Sequence, residues 1–574
     1  MSLMAALAVA GASKAIAQDV HGKPIRAEQL ANDNWLMHVS PQETAKYLLL
    51  PVEDKAPEAH LKLIVDNQLC RNIDVRMALH KIDYYVPVLL DEFRGHNLVV
   101  QAHMNIDRSN RGGVGSEICW GNIRLADTFD TANRERFRPL YHHTPVYGWM
   151  NDPNGMYYKD GTWHLFYQYN PYGSMWGNMN WRHSTSRDLL TWEDQGVAIA
   201  PDAHGAIFSG SCVVDEKNTA GFGTGAVIAL YTSAGDVQSQ SLAYSTDGGR
   251  TFTPYVGNPI LTADVPDFRD PNMFWNEDIN AWNLILAVGR EMRIYSSPNL
   301  KDWKEESRFG LGYGNHDGVW ECPDLFPLSG KTAEHTKWVL VCNINPGGPF
   351  GGSATQYFVG DFDGHKFTCD SAPQVTKWMD WGKDHYATVS FSDAPDGRRT
   401  VLAWMSNWQY ANDVPTMQFR SANSIARDLS LFQDGGEWYV SVKPAPEMLA
   451  ARGKKVKNPS EACEILVDLK GSATITLSNT KGEKVQMTYD EDARTFSMDR
   501  TQSGNVGFSE AFPCTTVAPT HGRVKQLRIF VDQSSIEAFD AEGRFAMTNL
   551  VFPSEPYNSV RVKGGKATIY QINN

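Results

Sequence analysis

The chain has 574 residues, 42% hydrophobic and 21% charged, which gives it apolar surface for more than one core and excludes disorder as its main state. Its 53 Lys and Arg against 66 Asp and Glu leave a net charge of −13, which excludes nucleic acid or anionic membrane as the main partner and favours a neutral ligand. An 11% aromatic content with 47 Gly and 29 Pro reads as turn-rich β structure, and the length suggests about three domains.

Residues 1–17 (MSLMAALAVAGASKAIA) are small and apolar, and Ala15-Ile16-Ala17 before Gln18 fits a leader-peptidase site. The basic start of a signal peptide is missing, so two readings stand: a signal peptide with a shortened start, or a plain leader. The first makes the protein secreted or periplasmic in a bacterium, and the lack of any N-x-[ST] sequon with a non-proline middle residue agrees with that. No later run of ~20 apolar residues is present, so no membrane span is expected. The eight cysteines are scattered without a C-x-x-C pair. They read mainly as buried free thiols, Cys342 in KWVLVCNI among them, with one or two disulfides as the alternative.

Residues 30–130 contain the short β runs KYLLLPVE, HLKLIVDN, IDYYVPVLL and HNLVVQAHMN, expected to form a small N-terminal β-sandwich-like accessory domain. The polar stretch Asp127 to Arg138 separates it from the central region of the chain. Residues 139–445 carry an internal repeat in which a strand, a polar turn and a closing aromatic recur. The aromatics are Trp192, Phe252, Trp303 and Phe367, spaced by 60, 51 and 64 residues. That spacing suits four-stranded propeller blades, and HYATVSFSDAPDGRRTVLAWMSN supplies a fifth strand set without the closing segment. Residues 456–574 (CEILVDLK, ATITLSN, VQMTYD, QLRIFVDQSSIEAFDAEG, SVRVKG) read as a C-terminal β-sandwich. The expected fold class is thus all-β: a five-bladed β-propeller followed by one sandwich and preceded by another.

Propellers bind ligands where innermost strands converge, so acidic or aromatic residues opening several blades are the candidates. Three segments qualify: WMNDPNG with Asp152, FRDP with Asp270, and WECPD with Glu321. Each sets a carboxylate at or one residue short of a proline, which restrains the backbone. A lone Asn-Asp-Pro-Asn-Gly would read as an ordinary turn; three such segments at blade starts do not. Arg269 is expected to keep Asp270 ionised, the flanking Trp320 and Cys322 to favour neutral Glu321, and the Asn-rich turn to leave Asp152 an anion. One neutral and one ionised carboxyl group are the equipment of a glycoside hydrolase. The 16 His show no metal-ligand spacing, so neither metal nor other cofactor is expected.

WMNDPNG, FRDP and WECPD, with FSGS at Phe208 to Ser211, closely resemble the signature motifs of glycoside hydrolase family 32, the invertases, inulinases and levanases. The similarity continues through HLFYQYNP, MWGNMNW, NTAGFG, NPGGPFGGSATQYFVGDFDG, AWMSNWQYANDVPT and DQSSIEAF, from Pro139 to the C-terminus. The resemblance implies that Asp152 is a nucleophile forming a covalent fructosyl-enzyme, Glu321 the general acid and then base, and Asp270 a transition-state stabiliser, with Arg269 fixing its charge. It further implies that Asn151, Gln168, Trp176, Phe208, Ser209, Asp384 and Trp404 line the pocket around a terminal fructose. Net retention, with the two carboxyl groups ~5–5.5 Å apart, follows from the double displacement. Motif details lean toward exo-acting bacterial fructanases, with levan ahead of inulin and sucrose as substrate. Arg182, Cys212 and His385 depart from the family pattern and bear on rims and linkage preference rather than on the reaction. Two other readings remain: a non-catalytic carbohydrate-binding propeller, which loss of one acidic residue would favour, and an arabinan- or xylan-type propeller hydrolase, which would lack WMNDPNG and DQSSIEAF.

Overall fold

A computed structural model describes residues 14–18, 24–31, 34–39, 45–105, 117–132, 134–329 and 336–573. The repeat seen in the sequence is a turn with a physical basis. Asp188, Asp247, Asn299 and Asp363 each accept backbone amides two to four residues ahead through a side-chain oxygen. Such Asx turns reverse the chain without using a backbone acceptor. The closing aromatic then begins or immediately precedes the outermost strand of its sheet, at Trp192–Ile199, Thr253–Pro254, Lys304–Phe309 and Phe367–Cys369.

Five such sheets form the propeller. Their innermost strands are Gly148–Lys159, Ala206–Asp215, Phe268–Asn276, Val319–Ser329 and Tyr386–Ser390, each followed outward by antiparallel neighbours. The fifth blade is completed by Thr400–Trp404, Arg427–Asp434 and Glu437–Pro444. Ring closure is made by backbone. Ser392 N donates to Met156 O, Tyr158 N donates to Ser392 O, and Phe419–Arg420 pairs in parallel with Gly148 and Trp149.

The C-terminal region departs from the sequence expectation in one respect. CEILVDLK and ATITLSN are not two strands but one, Cys463–Ser478, which pairs with Gln526–Asp532 in its first half and Lys484–Asp490 in its second. It passes between the layers at Gly471, whose φ of +155° marks the bend, and Ser559–Ile572 follows it with a register shift at the same place. A residue without Cβ is what such a corner requires. The sandwich is joined to the propeller by buried ions. Arg427 on the fifth blade reaches Asp380, Glu537 and Thr548. His142 sits between Asp532 and Glu537 at 2.7 and 2.8 Å; burial opposes its charge, but the two carboxylates push its pKa up to about 9.

Before the propeller, a six-stranded sheet and the three-stranded sheet Tyr84–Leu89, Tyr47–Val52, Arg124–Ala126 enclose a separate core around Trp35, Leu50, Leu63 and Trp120. The edge of the larger sheet is Lys14–Gln18, paired with Pro24–Ala31. The end of the expected leader therefore lies in that strand, while residues 1–13 lie outside the described residues. All eight cysteines are free. Among the described residues no helix is long and apolar enough to cross a membrane.

Candidate active site

All five innermost strands break register at one level: between Met150 and Pro153, Ile207 and Gly210, Arg269 and Asn272, Glu321 and Asp324, and Tyr386 and Val389. A bulge adds unpaired residues to one strand and re-aims their side chains. Pro271 and Pro323 occupy two of these breaks, where the missing N–H costs no ladder bond, and Pro153 ends the first. Asp270, Cys322 and Ala387 take left-handed backbone there, with φ of 64°, 41° and 54°, a conformation that persists only where surrounding structure enforces it.

The bulges turn Asp152, Ser209, Arg269, Asp270 and Glu321 into one cavity of about 290 Å³, lined also by Asn151, Gln168, Trp176, Phe208, Gln238, Asn345 and Trp408. Nine of the eleven residues expected from the sequence thus come together. A larger cavity of about 470 Å³ opens at the other ends of the same strands, around Asn272, Trp275, Asp324, Trp338 and Arg399. None of Asp152, Asp270 and Glu321 lines it, so the smaller cavity is the candidate site.

Within the site most polar side chains are held by hydrogen bonds. Ser209 Oγ donates to Asp152 Oδ2 at 2.8 Å, and Trp149 Nε1 donates to Asn151 Oδ1 at 2.9 Å. Gln168 spends its amide hydrogens on Asn154 Oδ1 and Ile207 O, which leaves its carbonyl oxygen for the cavity. Cys322 N donates to Asp270 Oδ2 at 2.9 Å. Arg269 donates to Glu321 Oε1 at 2.9 Å and to Asp267 Oδ1 at 2.5 Å, and Tyr386 Oη donates to Glu321 Oε2.

The ionised states expected from sequence neighbours for Asp152 and Asp270 need revision. Arg269 directs its fork at Glu321 and Asp267, and only Nε approaches Asp270, at 3.9 Å. Burial therefore prevails at Asp270 and raises its pKa to about 7, with Arg269 opposing. Burial, then the nearby Glu321, also raises Asp152. Trp320 and Cys322 are buried, whereas Glu321 has two donors and 21% side-chain exposure. The bulge brings Cys322 Sγ in among the carboxyl groups, 3.4 Å from Asp152 Oδ2 and 3.6 Å from Asp270 Oδ2.

Two expected site residues lie elsewhere. Asp384 is fully buried at the joint with the C-terminal sandwich, accepting from Arg500, Tyr410 Oη and Leu550 N. Trp404 is fully buried behind the cavity wall, packed on Trp149 and Trp408. Trp408, four residues on in the same motif, is the ring that lines the cavity. Tyr386, Gln238 and Asn345 also escaped the sequence reading, because nothing local marks a residue as the neighbour of a carboxylate on another blade. The three departures from the family pattern lie off the cavity. Arg182 pairs with Asp194 at 2.6 Å, Cys212 packs beneath Gly155, and His385 is buried beside Thr388. They do not form its rim.

Residues 142–441 match the model of the glycosyl hydrolases family 32 N-terminal domain, and residues 434–573 that of the family 32 C-terminal domain. The chain belongs to glycosyl hydrolase family 32. It is a glycoside hydrolase of the β-fructosidase type, all-β with the family's five-bladed propeller and C-terminal sandwich. Residues 31–141 match a domain of unknown function (DUF4980). Levanase of Bacillus subtilis is 46% identical over 456 residues, 73% of this chain and 67% of that protein. An extracellular exo-inulinase of Aspergillus niger is 38% identical over 498 residues, covering 75% and 93%. Among solved structures, exo-inulinase from Aspergillus awamori superposes with a TM-score of 0.72 at 34% identity, over 77% of this chain and 99% of that one. Fructofuranosidase from Schwanniomyces occidentalis, complexed with fructose, gives 0.69 at 33% identity over 76% and 98%. Family membership removes the arabinan- or xylan-type reading.

Proposed function

We propose that the protein removes terminal β-D-fructofuranosyl units from fructans, levan ahead of inulin and sucrose, with net retention. The convergence of Asp152, Asp270 and Glu321 in one small cavity carries this reading. In the first step Asp152 attacks the anomeric carbon while the bond to the leaving oxygen breaks and Glu321 gives that oxygen its proton. In the second, Glu321 takes a proton from water, the water oxygen bonds to the anomeric carbon, and the Asp152 ester is released. Ser209 Oγ at 2.8 Å and Cys322 Sγ at 3.4 Å hold the Asp152 carboxyl group through Oδ2. Asp270 takes the sugar hydroxyls. Arg269 bridges the second and third carboxyl groups and offsets their charge as the oxocarbenium-like state develops. The levanase relative supports levan, and the exo-inulinase relatives support release from chain ends. The exo-inulinase relatives, named extracellular, together with the apolar N-terminus, support secretion.

Replacing Glu321 by Ala is expected to lower kcat by about 10²–10⁴-fold with the fold intact; near-normal turnover in a folded variant refutes the assignment. A time course of levan digestion beside inulin and sucrose tests the rest. Free fructose from the first minutes, fastest from levan, is the expected result; early short oligosaccharides would show an endo enzyme.

A further inference from the structure

The N-terminal domain reaches the rim of the active site through two loops. The first is residues 171–179, between two strands of blade one, which carries Trp176. Its Tyr172 is part of the N-terminal domain's own core, and its hydroxyl accepts from Arg71 at 3.3 Å. Ser174 in the same loop is fully buried: its Oγ donates to Asp54 Oδ1 at 3.2 Å and lies 2.8 Å from Tyr84 Oη, and its N donates to Tyr84 Oη. Asn178 closes the loop, accepting from Asp74 N and donating to Asp74 O, both at 2.8 Å, and to Asn170 Oδ1 at 3.1 Å.

The second loop follows Trp408 and carries Asn412. Arg420, buried, donates to Asp54 Oδ2 at 3.3 Å, Ser174 O at 2.8 Å and Asn412 O at 2.9 Å. Lys55 adds bonds to Asn412 O and Asp413. The loops are tied to each other as well, Trp176 N donating to Asn412 Oδ1. Asp54 and Lys55 of one domain thus grip the two loops that supply Trp176 and Trp408 to the cavity of another. Trp176 is 42% exposed at the mouth, edge-on to Phe208, where a sugar next to the terminal unit would stack.

We propose that the N-terminal domain is a clamp on this aromatic rim, with Asp54 as its positioning residue. By fixing Trp176 and Trp408 it sets affinity for the saccharide beyond the terminal fructose, while the bulge-level chemistry is independent of it. The proposal rests on reading the cavity as a fructoside site. A ring displaced by about 1 Å loses its stacking partner, and such displacements carry large costs.

The test uses the full chain and compares Asp54→Ala, Asn178→Asp, Trp176→Ala and the double variant D54A/W176A. Asn178 has a φ of +45°, which Asp tolerates, so N178D keeps the backbone and only turns a donor into an acceptor facing two oxygens. Expected for D54A and N178D is a KM for levan and inulin raised about tenfold, with kcat within about twofold and an unchanged inhibition constant for free fructose. Trp176→Ala should raise KM likewise, and the double variant should add little to it, since both remove one interaction. Wild-type KM in a folded N178D, or additive effects in the double variant, overturns the clamp. Loss of kcat with KM unchanged also overturns it. Failure of the fructosidase reading itself is distinct, because the unmodified protein would then release no fructose.

Discussion

Tyr386 is the residue whose removal most directly isolates one interaction in the catalytic cavity. Its hydroxyl donates to Glu321 Oε2 and its ring is buried among Met150, Cys322 and Trp404. Tyr386→Phe keeps the ring and deletes one of the two donors on the Glu321 carboxyl group, leaving Arg269 on the other oxygen. A hydrogen bond to a charged group contributes about 1.5–3 kcal/mol, so the expected loss is about 10- to 150-fold. It should fall on kcat, because Tyr386 does not line the cavity and an interaction absent from substrate binding leaves KM alone. Initial rates on sucrose and levan, measured beside a thermal melt, separate this from misfolding. A folded Y386F variant with kcat within about threefold of the parent would refute the reasoning, and so would a loss that appeared only in KM.

Asp270 gives a pH prediction. With its pKa raised from an ordinary 3.8 to about 7, the folded state binds a proton that the unfolded chain releases, so stability falls as pH rises between these values. Fully developed above pH 7, the cost is on the order of 4 kcal/mol. Asp270→Asn is therefore expected to raise Tm at pH 8 more than at pH 4 while lowering activity; an equal shift at both pH values contradicts it. Arg500 reaches Asp384, Tyr410, Phe512 O and Leu550 O, fully buried at the joint between propeller and sandwich. Arg500→Met leaves the Asp384 carboxylate buried and uncompensated, expected to cost about 3–5 kcal/mol in denaturant unfolding. Adding Asp384→Asn should recover part of that loss, and no recovery would argue against the pairing as the cause.

The parts of this structure that the sequence revealed are those with local physical causes. Asp188, Asp247, Asn299 and Asp363 terminate strands by bonding to amides a few residues on, so their spacing betrayed the blades. Asp152, Asp270 and Glu321 were found because proline follows a bulge closely in the chain. What depends on distant partners was hidden. Arg269 adjoins Asp270 in the chain but spends its fork on Glu321, 52 residues away, and burial then decides the protonation of Asp270. Asp384 and Trp404 stand a few residues from Tyr386 and Trp408 in the chain, yet their side chains face the sandwich and the wall. The bend at Gly471 joined two apparent strands into one because a single glycine does not reveal whether the chain turns back or continues.

The ring of bulges has a consequence for how the protein comes to life. Asp152, Asp270 and Glu321 belong to the first, third and fourth blades, and Tyr386 to the fifth. No blade alone contains two of them. Their spacing is fixed only when the circle is complete, through Ser392 on Met156 and Tyr158 and through Phe419–Arg420 beside Gly148. That last pairing joins residues some 270 positions apart, the kind of distant contact that forms late. Hydrolysis is thereby a property of the finished ring. On the roles proposed for these residues, a chain still being made or opened at the closure is expected to cleave nothing, so that the appearance of released sugar times the closing of the circle itself.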